Sequence, residues 1–537
     1  MLLKNTWEKA FLKWLLDYCE KTSPKLECKN VLDKYGAIIF DSIYYHYLDP
    51  NFFCGFVILV CPPTMEPMNL TEDIQRIVKN KPQIPLPTPT RKSTFKVLQV
   101  TDIHLDPQYI ANATVSCSET LCCRKPSNST DGKVSGYWGT LGSCDLPLRT
   151  AEQMAMFISK NVEVDFVIWT GDNSQHDIDK TSNENIDNTL LLSSLFKTHL
   201  PGVTVYPSLG NHETYPLEVW NFKDNPKIYS RPEERTYAKN QAQFQSTFSS
   251  NWKDWLGAQS SQEFSKNGFY SSYNQKYGVR IISLNTNACH NENFYLLLDP
   301  TDPGDMLTWL NKTLAQSEQN KESVYIIGHV PPGSSDCFPE WSNRFSALVE
   351  RYSHLIRGQF FGHFHSDSFF IYKSYLNKNE TVNLGFLAPS MTPNSNRNPS
   401  FRVYEIDFDT KLPINYYQYR LNLTKANLDP TQPLQWEIAY DFLGTYGYKD
   451  LGIATFDDFR NQLLKNQTLY SIFSLNYGAG LGGAPRKENV YCGSLSTIDQ
   501  NYACLQQTFN ITVEPGIKQT GLELASGIWF NKTSKAN

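Results

Sequence analysis

A layered α/β core, preceded by a helical segment and followed by a helix-rich tail, is the fold class this sequence predicts. Three observations carry it. Short β-rich runs at 95–100, 165–170, 203–206, 279–284, 323–327 and 356–361 alternate with helical patterns. Within 1–61, Trp7, Phe11, Trp14, Leu15 and Tyr18, then Leu32, Tyr35, Ile39 and Ile43, recur at helical spacing. After about Asn422 the strand signal fades into helical stretches such as 456–470. The glycine-rich loop at 477–485 that follows lacks a Lys-Ser/Thr pair and reads as a turn, not a phosphate cradle.

At ~100–200 residues per domain, the 537 residues make several domains. Pro82, Pro85, Pro87 and Pro89 mark a semi-rigid linker. The expected organisation is a helical module at 1–63, a linker at 64–92, the α/β core at 93–421 and a helical domain at 422–537. Hydrophobic residues at 40%, charged residues at 19% and an aromatic content of 13% describe a globular chain. The net charge of −5 shows no basic excess, which argues against a nucleic acid polymer as partner. No run reaches the ~18 apolar residues of a membrane span. The longest uncharged apolar stretch, 52–61, suits a buried helix.

Compartment is read from cysteines and glycosylation acceptors. Twelve cysteines fall in close groups, and Asn-x-Ser/Thr occurs at Asn69, Asn112, Asn128, Asn311, Asn379, Asn422, Asn466, Asn510 and Asn531. Together they point to an oxidising setting, secreted or lysosomal. The N-terminus shows no apolar segment of signal-peptide length, so the natural start is expected upstream.

The chemistry is concentrated at the strand ends. In order stand Asp102-Ile103-His104, Gly171-Asp172-Asn173, Gly210-Asn211-His212-Glu213, Gly328-His329 and Gly362-His363-Phe364-His365. One such His is ordinarily a solvated loop residue. Five of the ten histidines in such clusters, four clusters being opened by a glycine expected to free the backbone for a turn, read as a metal site. Imidazole and carboxylate in this mixture suit two adjacent divalent cations.

This ordered set resembles the calcineurin-like metallophosphoesterases, whose fold packs two mixed β-sheets between helices. The resemblance implies two Zn2+ ions, one on Asp102, His104 and His365, the other on Asn211, His329 and His363, with Asp172 bridging. A shared water would then form the attacking hydroxide at low pH. His212, directly after a ligand, is placed to protonate the leaving oxygen. Glu213 either orients it or makes a structural link.

Further motifs narrow the resemblance. Tyr137-Trp138-Gly139, the stretch from Cys144 to Thr150, Gly171 to Asp177, Gly328 to Gly333, Phe360 to His365 and Phe386 to Ser390 are similar to the acid sphingomyelinase family. Cys19, Cys28, Cys54 and Cys61 resemble the last four of six cysteines in saposin-like lipid-binding modules, the first helix being expected upstream. The similarity covers roughly residues 10–510. It implies zinc-dependent hydrolysis of sphingomyelin, or a related phospholipid, to ceramide and phosphocholine. It also implies membrane-surface contact through the saposin-like region, a monomer, and phosphate contact by His176. The implied disulfides are Cys19–Cys28, Cys117–Cys122, Cys123–Cys144, Cys289–Cys337 and Cys492–Cys504. Two alternatives stand beside it, a phosphodiesterase for soluble nucleotides and a non-catalytic lipid-binding protein. The Asn/Ser-rich loop 390–399 departs from the mammalian enzymes and bears on headgroup preference.

Overall fold

The computed structural model describes residues 2–22, 28–47, 70–127, 133–222, 232–299 and 301–511. Its strands are β1 (Thr94–Val100), β2 (Phe166–Trp169), β3 (Thr204–Pro207), β4 (Tyr270–Asn274), β5 (Val279–Ser283), β6 (Ser323–Ile327), β7 (Ile356–Phe361), β8 (Ser368–Lys373), β9 (Thr381–Leu387), β10 (Ser400–Asp407), β11 (Pro413–Leu421) and β12 (Trp436–Asp441). They form two six-stranded mixed sheets, ordered β12-β11-β10-β1-β2-β3 and β4-β5-β6-β7-β9-β8. In the first, β1, β2 and β3 are parallel. In the second, β5, β6, β7 and β9 are parallel.

Strands such as β2, buried along its whole length, read as unbroken apolar runs, which is why the sequence exposes them. Six further strands, β4 and β8 to β12, were not expected. Charged and polar residues interrupt several of them, such as Arg402 on β10 and Arg420 on β11. One interruption is itself buried. Arg402, at 0% exposure, pairs with Asp367 and donates through Nε to Gln418 Oε1 at 2.8 Å. Arg402→Met leaves Asp367 an unpaired buried charge, so a loss of about 3–5 kcal/mol in urea unfolding is expected. A midpoint equal to that of the parent would show that the pair contributes no net stability.

The two sheets are tied at their centre. Gln99, buried on β1, donates to the Phe361 carbonyl on β7 at 3.0 Å and accepts from Tyr404 Oη on β10 at 2.9 Å. A shared apolar core includes Val97, Tyr325, Phe360 and Tyr404.

At the N-terminus, α1 (Leu2–Thr22) and α2 (Cys28–Tyr47) are joined by the Cys19–Cys28 bridge. Val31, Tyr35, Ile38 and Ile39 of α2 pack against Val219, Phe294 and Tyr295 of the core. Lys34 Nζ donates to the Ile178 carbonyl and to Asp179 Oδ1, both at 2.6 Å. The α1 stripe is divided: Leu15 is buried, while Trp7 and Trp14 are 59% and 44% exposed. The 52–61 helix, Cys54, Cys61, Asn69, Asn128 and Asn531 lie outside the described residues. The proline-rich segment is extended but anchored at both ends, by Lys81 Nζ on Glu350 at 3.3 Å and by the Arg91 amide on Asp407 at 2.6 Å.

The C-terminal region is not wholly helical, because β12 pairs with β11. The stretch expected as one helix at 456–470 is two, Ile453–Lys465 and Gln467–Tyr477. Asn466 breaks it by leaving helical geometry and accepting the Leu469 amide at 3.1 Å as an N-cap. Phe456, Phe459 and Phe473 of these helices join the same core as the sheets. The other bridges among the described residues are Cys117–Cys122, Cys123–Cys144, Cys289–Cys337 and Cys492–Cys504. Of the glycosylation acceptors, Asn112, Asn311, Asn379, Asn466 and Asn510 are exposed, and Asn422 is half-buried.

Candidate metal centre

Parallel strands from both sheets deliver the five clusters to one place. Asp102 and His104 follow β1, Asp172 follows β2, Asn211 and His212 follow β3, His329 follows β6, and His363 and His365 follow β7. The C-terminal ends of parallel strands are where ligands of open α/β sheets gather.

The donor atoms converge. Asp172 Oδ2 lies 3.0 Å from His329 Nε2 and 3.4 Å from His104 Nε2, so one carboxylate oxygen is shared by both halves of the cluster. On one side His104 Nε2 faces His365 Nε2 at 3.2 Å, and His365 Nε2 is 3.4 Å from Asp102 Oδ1. On the other, His363 Nδ1 stands 3.1 Å from Asn211 Oδ1. His329 and His363 group there with Asp172.

The hydrogen bonds behind these atoms decide whether they fit cations. The Nδ1 atoms of His104 and His329 donate to the carbonyls of Ser174 and Thr170 at 3.0 and 2.7 Å. A carbonyl only accepts, so both rings carry a proton on Nδ1 and turn Nε2 inward, towards the Asp172 carboxylate. An unprotonated Nε2 repels a facing carboxylate oxygen unless positive charge lies between them, and both Nε2 atoms face Asp172 Oδ2. Ligands ~2.0–2.1 Å from a tetrahedral ion stand about 3.3 Å from each other, close to the spacing these pairs have. The residues fit a pair of divalent cations.

On His329 burial disfavours charge, but Asp172 outweighs it and raises that pKa to about 9, so positive charge is favoured beside Asp172. Burial holds His104 and His365 well below their ordinary values, keeping the imidazoles neutral and able to coordinate. Burial pushes Asp102 up to about 6, with His329 opposing. For Asp172 burial acts the same way, but His329 and His212 outweigh it and hold the carboxyl well below the usual range.

Backbone strain marks the same residues. Asp102, His104, Asp172, His363 and His365 have φ of 49°, 42°, 56°, 75° and 55°. Left-handed geometry costs a non-glycine residue on the order of 1 kcal/mol or more, and it concentrates at functional sites. The glycines do a different job from the one expected. Of the four that open clusters, only Gly171 has a positive φ, at 84°. Gly210, Gly328 and Gly362 are required by close approach instead. A Cβ on Gly362 would stand 2.1 Å from Thr101 Oγ1 and 2.6 Å from Asp102 Oδ2. Gly362→Ala is therefore expected to displace Asp102 and to lower the bound metal per chain. Elemental analysis matching the parent protein would show that the loop accommodates the methyl group.

His176 and His212 complete the cavity wall. His176 stacks on His104 with ring centroids 3.7 Å apart, and its Nδ1 meets Asp145 Oδ1 at 2.8 Å. Burial disfavours its charge, but Asp145 reverses this and raises its pKa. His212 donates its amide to Asp172 Oδ1 at 2.9 Å, and its Nδ1 lies 3.3 Å from the Gln175 carbonyl. Glu213 does not touch the His212 ring. It accepts the amides of Asp172, Asn173 and Gly210 at 2.9, 2.6 and 2.8 Å, clamping two ligand loops together.

Two supporting carboxylates were not singled out from sequence. Asp145 holds His176, and Asp336 Oδ2 holds His363 Nε2 at 3.0 Å. Each is next in the chain to a bridged cysteine, Cys144 and Cys337, the one local signal that its position is fixed.

Comparison with known proteins follows the same lines. Residues 95–367 match the calcineurin-like phosphoesterase family. The chain is 31% identical over 500 residues to sphingomyelin phosphodiesterase B of Dictyostelium discoideum, covering 90% of this chain and 74% of that one. It is 33% identical over 415 residues to the Homo sapiens sphingomyelin phosphodiesterase, covering 75% and 63%. It is also 32% identical over 370 residues to the Homo sapiens cyclic GMP-AMP phosphodiesterase SMPDL3A, covering 66% and 75%.

Proposed function

The chain belongs to the calcineurin-like phosphoesterase family and is a hydrolase, and from that membership we propose that it is a zinc-dependent phosphodiesterase of sphingomyelin or a related phospholipid. The observation that carries the reading is the doubled donor set around Asp172, with its two inward-aimed imidazoles. Two cations bound there neutralise phosphoryl oxygens and lower the pKa of a shared water.

The chain's own groups supply the rest. Asp102, His104 and His365 would hold one cation, Asn211, His329 and His363 the other, with Asp172 shared between them. His176, charged through Asp145, hydrogen-bonds the phosphate. His212 gives its proton to the leaving alkoxide. Glu213 keeps the Asp172 and Asn211 loops in register. Trp7 and Trp14 give the N-terminal helices an exposed aromatic face for lipid, and the protein acts as a monomer at the membrane surface. Five disulfides among the described residues and the exposed acceptor asparagines support glycosylation and a secreted or lysosomal setting.

A second reading, hydrolysis of a soluble nucleotide phosphodiester, draws on the similarity to SMPDL3A. The lipid reading is preferred because the Dictyostelium discoideum relative aligns over more of this chain, 90% against 66%. Zinc-loaded protein should release phosphocholine from sphingomyelin liposomes and also cleave bis(4-nitrophenyl) phosphate. Cleavage of the nitrophenyl ester with none of the lipid in liposomes or detergent would favour the second reading.

A further inference from the structure

Arg397 stands at the rim of the metal centre and meets no carboxylate. Its loop crosses from the His176 side of the cluster to the His365 side. At one end Thr392 Oγ1 and Asn394 Nδ2 donate to Asp145 Oδ1 at 2.9 and 3.2 Å, behind His176. At the other, Arg397 Nε and Nη2 donate to Ser366 Oγ at 3.3 and 3.1 Å, one residue after His365. Between them Ser395 and Asn396, both exposed, take φ of 61° and 60°.

The other contacts of this guanidinium are neutral as well. Nη1 donates to the Ser395 and Asn396 carbonyls at 3.3 and 3.2 Å, and the group lies 5.7 Å from the Tyr477 ring centroid. Arg124, Arg280, Arg344 and Arg402 each meet a carboxylate. Arg357 and Arg460 do not, but Arg357 is the second residue of β7, at the end remote from His363, and Arg460 donates to the Tyr491 carbonyl among the C-terminal helices. Burial pulls the pKa of Arg397 down, as expected of a half-buried cation with no counter-ion to offset lost hydration.

The neighbouring acids are already engaged. Asp145 pairs with His176, Asp336 with His363 and Asp367 with Arg402. Among the described residues this rim therefore offers an uncompensated cation, and no uncommitted carboxylate to receive a choline ammonium.

We propose that Arg397 is a specificity residue that binds a negative group carried by the substrate beside the scissile phosphate, so that an anionic headgroup is favoured over phosphocholine. This rests on the phosphodiesterase reading and narrows its substrate class. One Nη2 hydrogen stays uncommitted, and with the charge of the guanidinium it suits a single phosphate oxygen. The shared chemistry is a second phosphate, which a phosphorylated lipid headgroup or a soluble nucleotide can supply.

The test compares the full chain with Arg397→Gln and Arg397→Lys. The substrates are sphingomyelin and phosphatidylinositol 4-phosphate in the same detergent micelles, ADP, and bis(4-nitrophenyl) phosphate as a reference with neither ammonium nor second anion. Arg397→Gln should lower the ratio of kcat/KM for the doubly charged substrate to that for the reference by about ten- to a hundredfold, through KM, as loss of a charged hydrogen bond does. Arg397→Lys should restore part of it. A fall in the lipid ratio alone identifies a lipid headgroup as the source, and a fall in the ADP ratio alone a nucleotide. Unchanged ratios on both arms, or a fall in kcat shared by every substrate, would overturn the proposal. A parent chain inactive on the reference ester would instead sink the phosphodiesterase reading on which it rests.

Discussion

Asp172→Ala is expected to strip both cations and to reduce phosphodiester hydrolysis by on the order of 10³-fold or more, the equivalent of several kcal/mol of lost charge stabilisation. The size of the effect follows from position. Oδ2 is shared between His329 and His104, and Oδ1 receives the His212 amide, so one substitution undoes both halves of the centre and loosens the adjacent loop. Asp102→Ala is the informative contrast. Asp102 Oδ1 lies beside His365, on one side of the centre, so its removal should cost mainly the ion held there. Elemental analysis finding two ions in Asp172→Ala would remove this residue as the bridge.

The second large effect falls on proton transfer. His212→Ala should retain both ions yet lose about 10²–10⁴-fold in rate on a lipid substrate, the usual range for deleting a general acid. Nitrophenyl esters, whose leaving group needs no proton, should lose far less. A pH signature accompanies this. Burial holds His212 well below its ordinary value, with Asp172 only partly opposing. The acid must begin protonated, so the parent's rate on lipid should fall as pH rises through that depressed value. His212→Ala should flatten this limb. Equal losses on lipid and nitrophenyl substrates, with the limb intact, would make His212 a positioning residue.

How far the sequence reaches can be judged from single residues. The ligand clusters were legible because each stands at the end of a short β-rich run, unbroken and apolar in β2, that finishes at Asp102, Asp172, Asn211, His329 or His363. What sequence does not encode locally is which neighbour comes close. Gly362 was read as a hinge, whereas its missing side chain makes room for Asp102, a residue 260 positions earlier. Glu213 stood beside His212 in sequence and invited the reading that it orients that ring. Three backbone amides, two from the Asp172 segment and one from its own loop, claim it instead. Strand β10 was hidden because Arg402 is charged, and only its distant partner Asp367 makes its burial tolerable. Asn466 hid a helix boundary, since one amide side chain acting as a cap divides an otherwise continuous helical pattern.

Restoration of activity after chelation tests the two-cation centre most directly. Protein stripped of metal and titrated with Zn2+ should recover hydrolysis of bis(4-nitrophenyl) phosphate only as the second equivalent binds. Full recovery at one equivalent, or activity that survives complete removal of metal, would contradict a catalytic pair of cations held across Asp172.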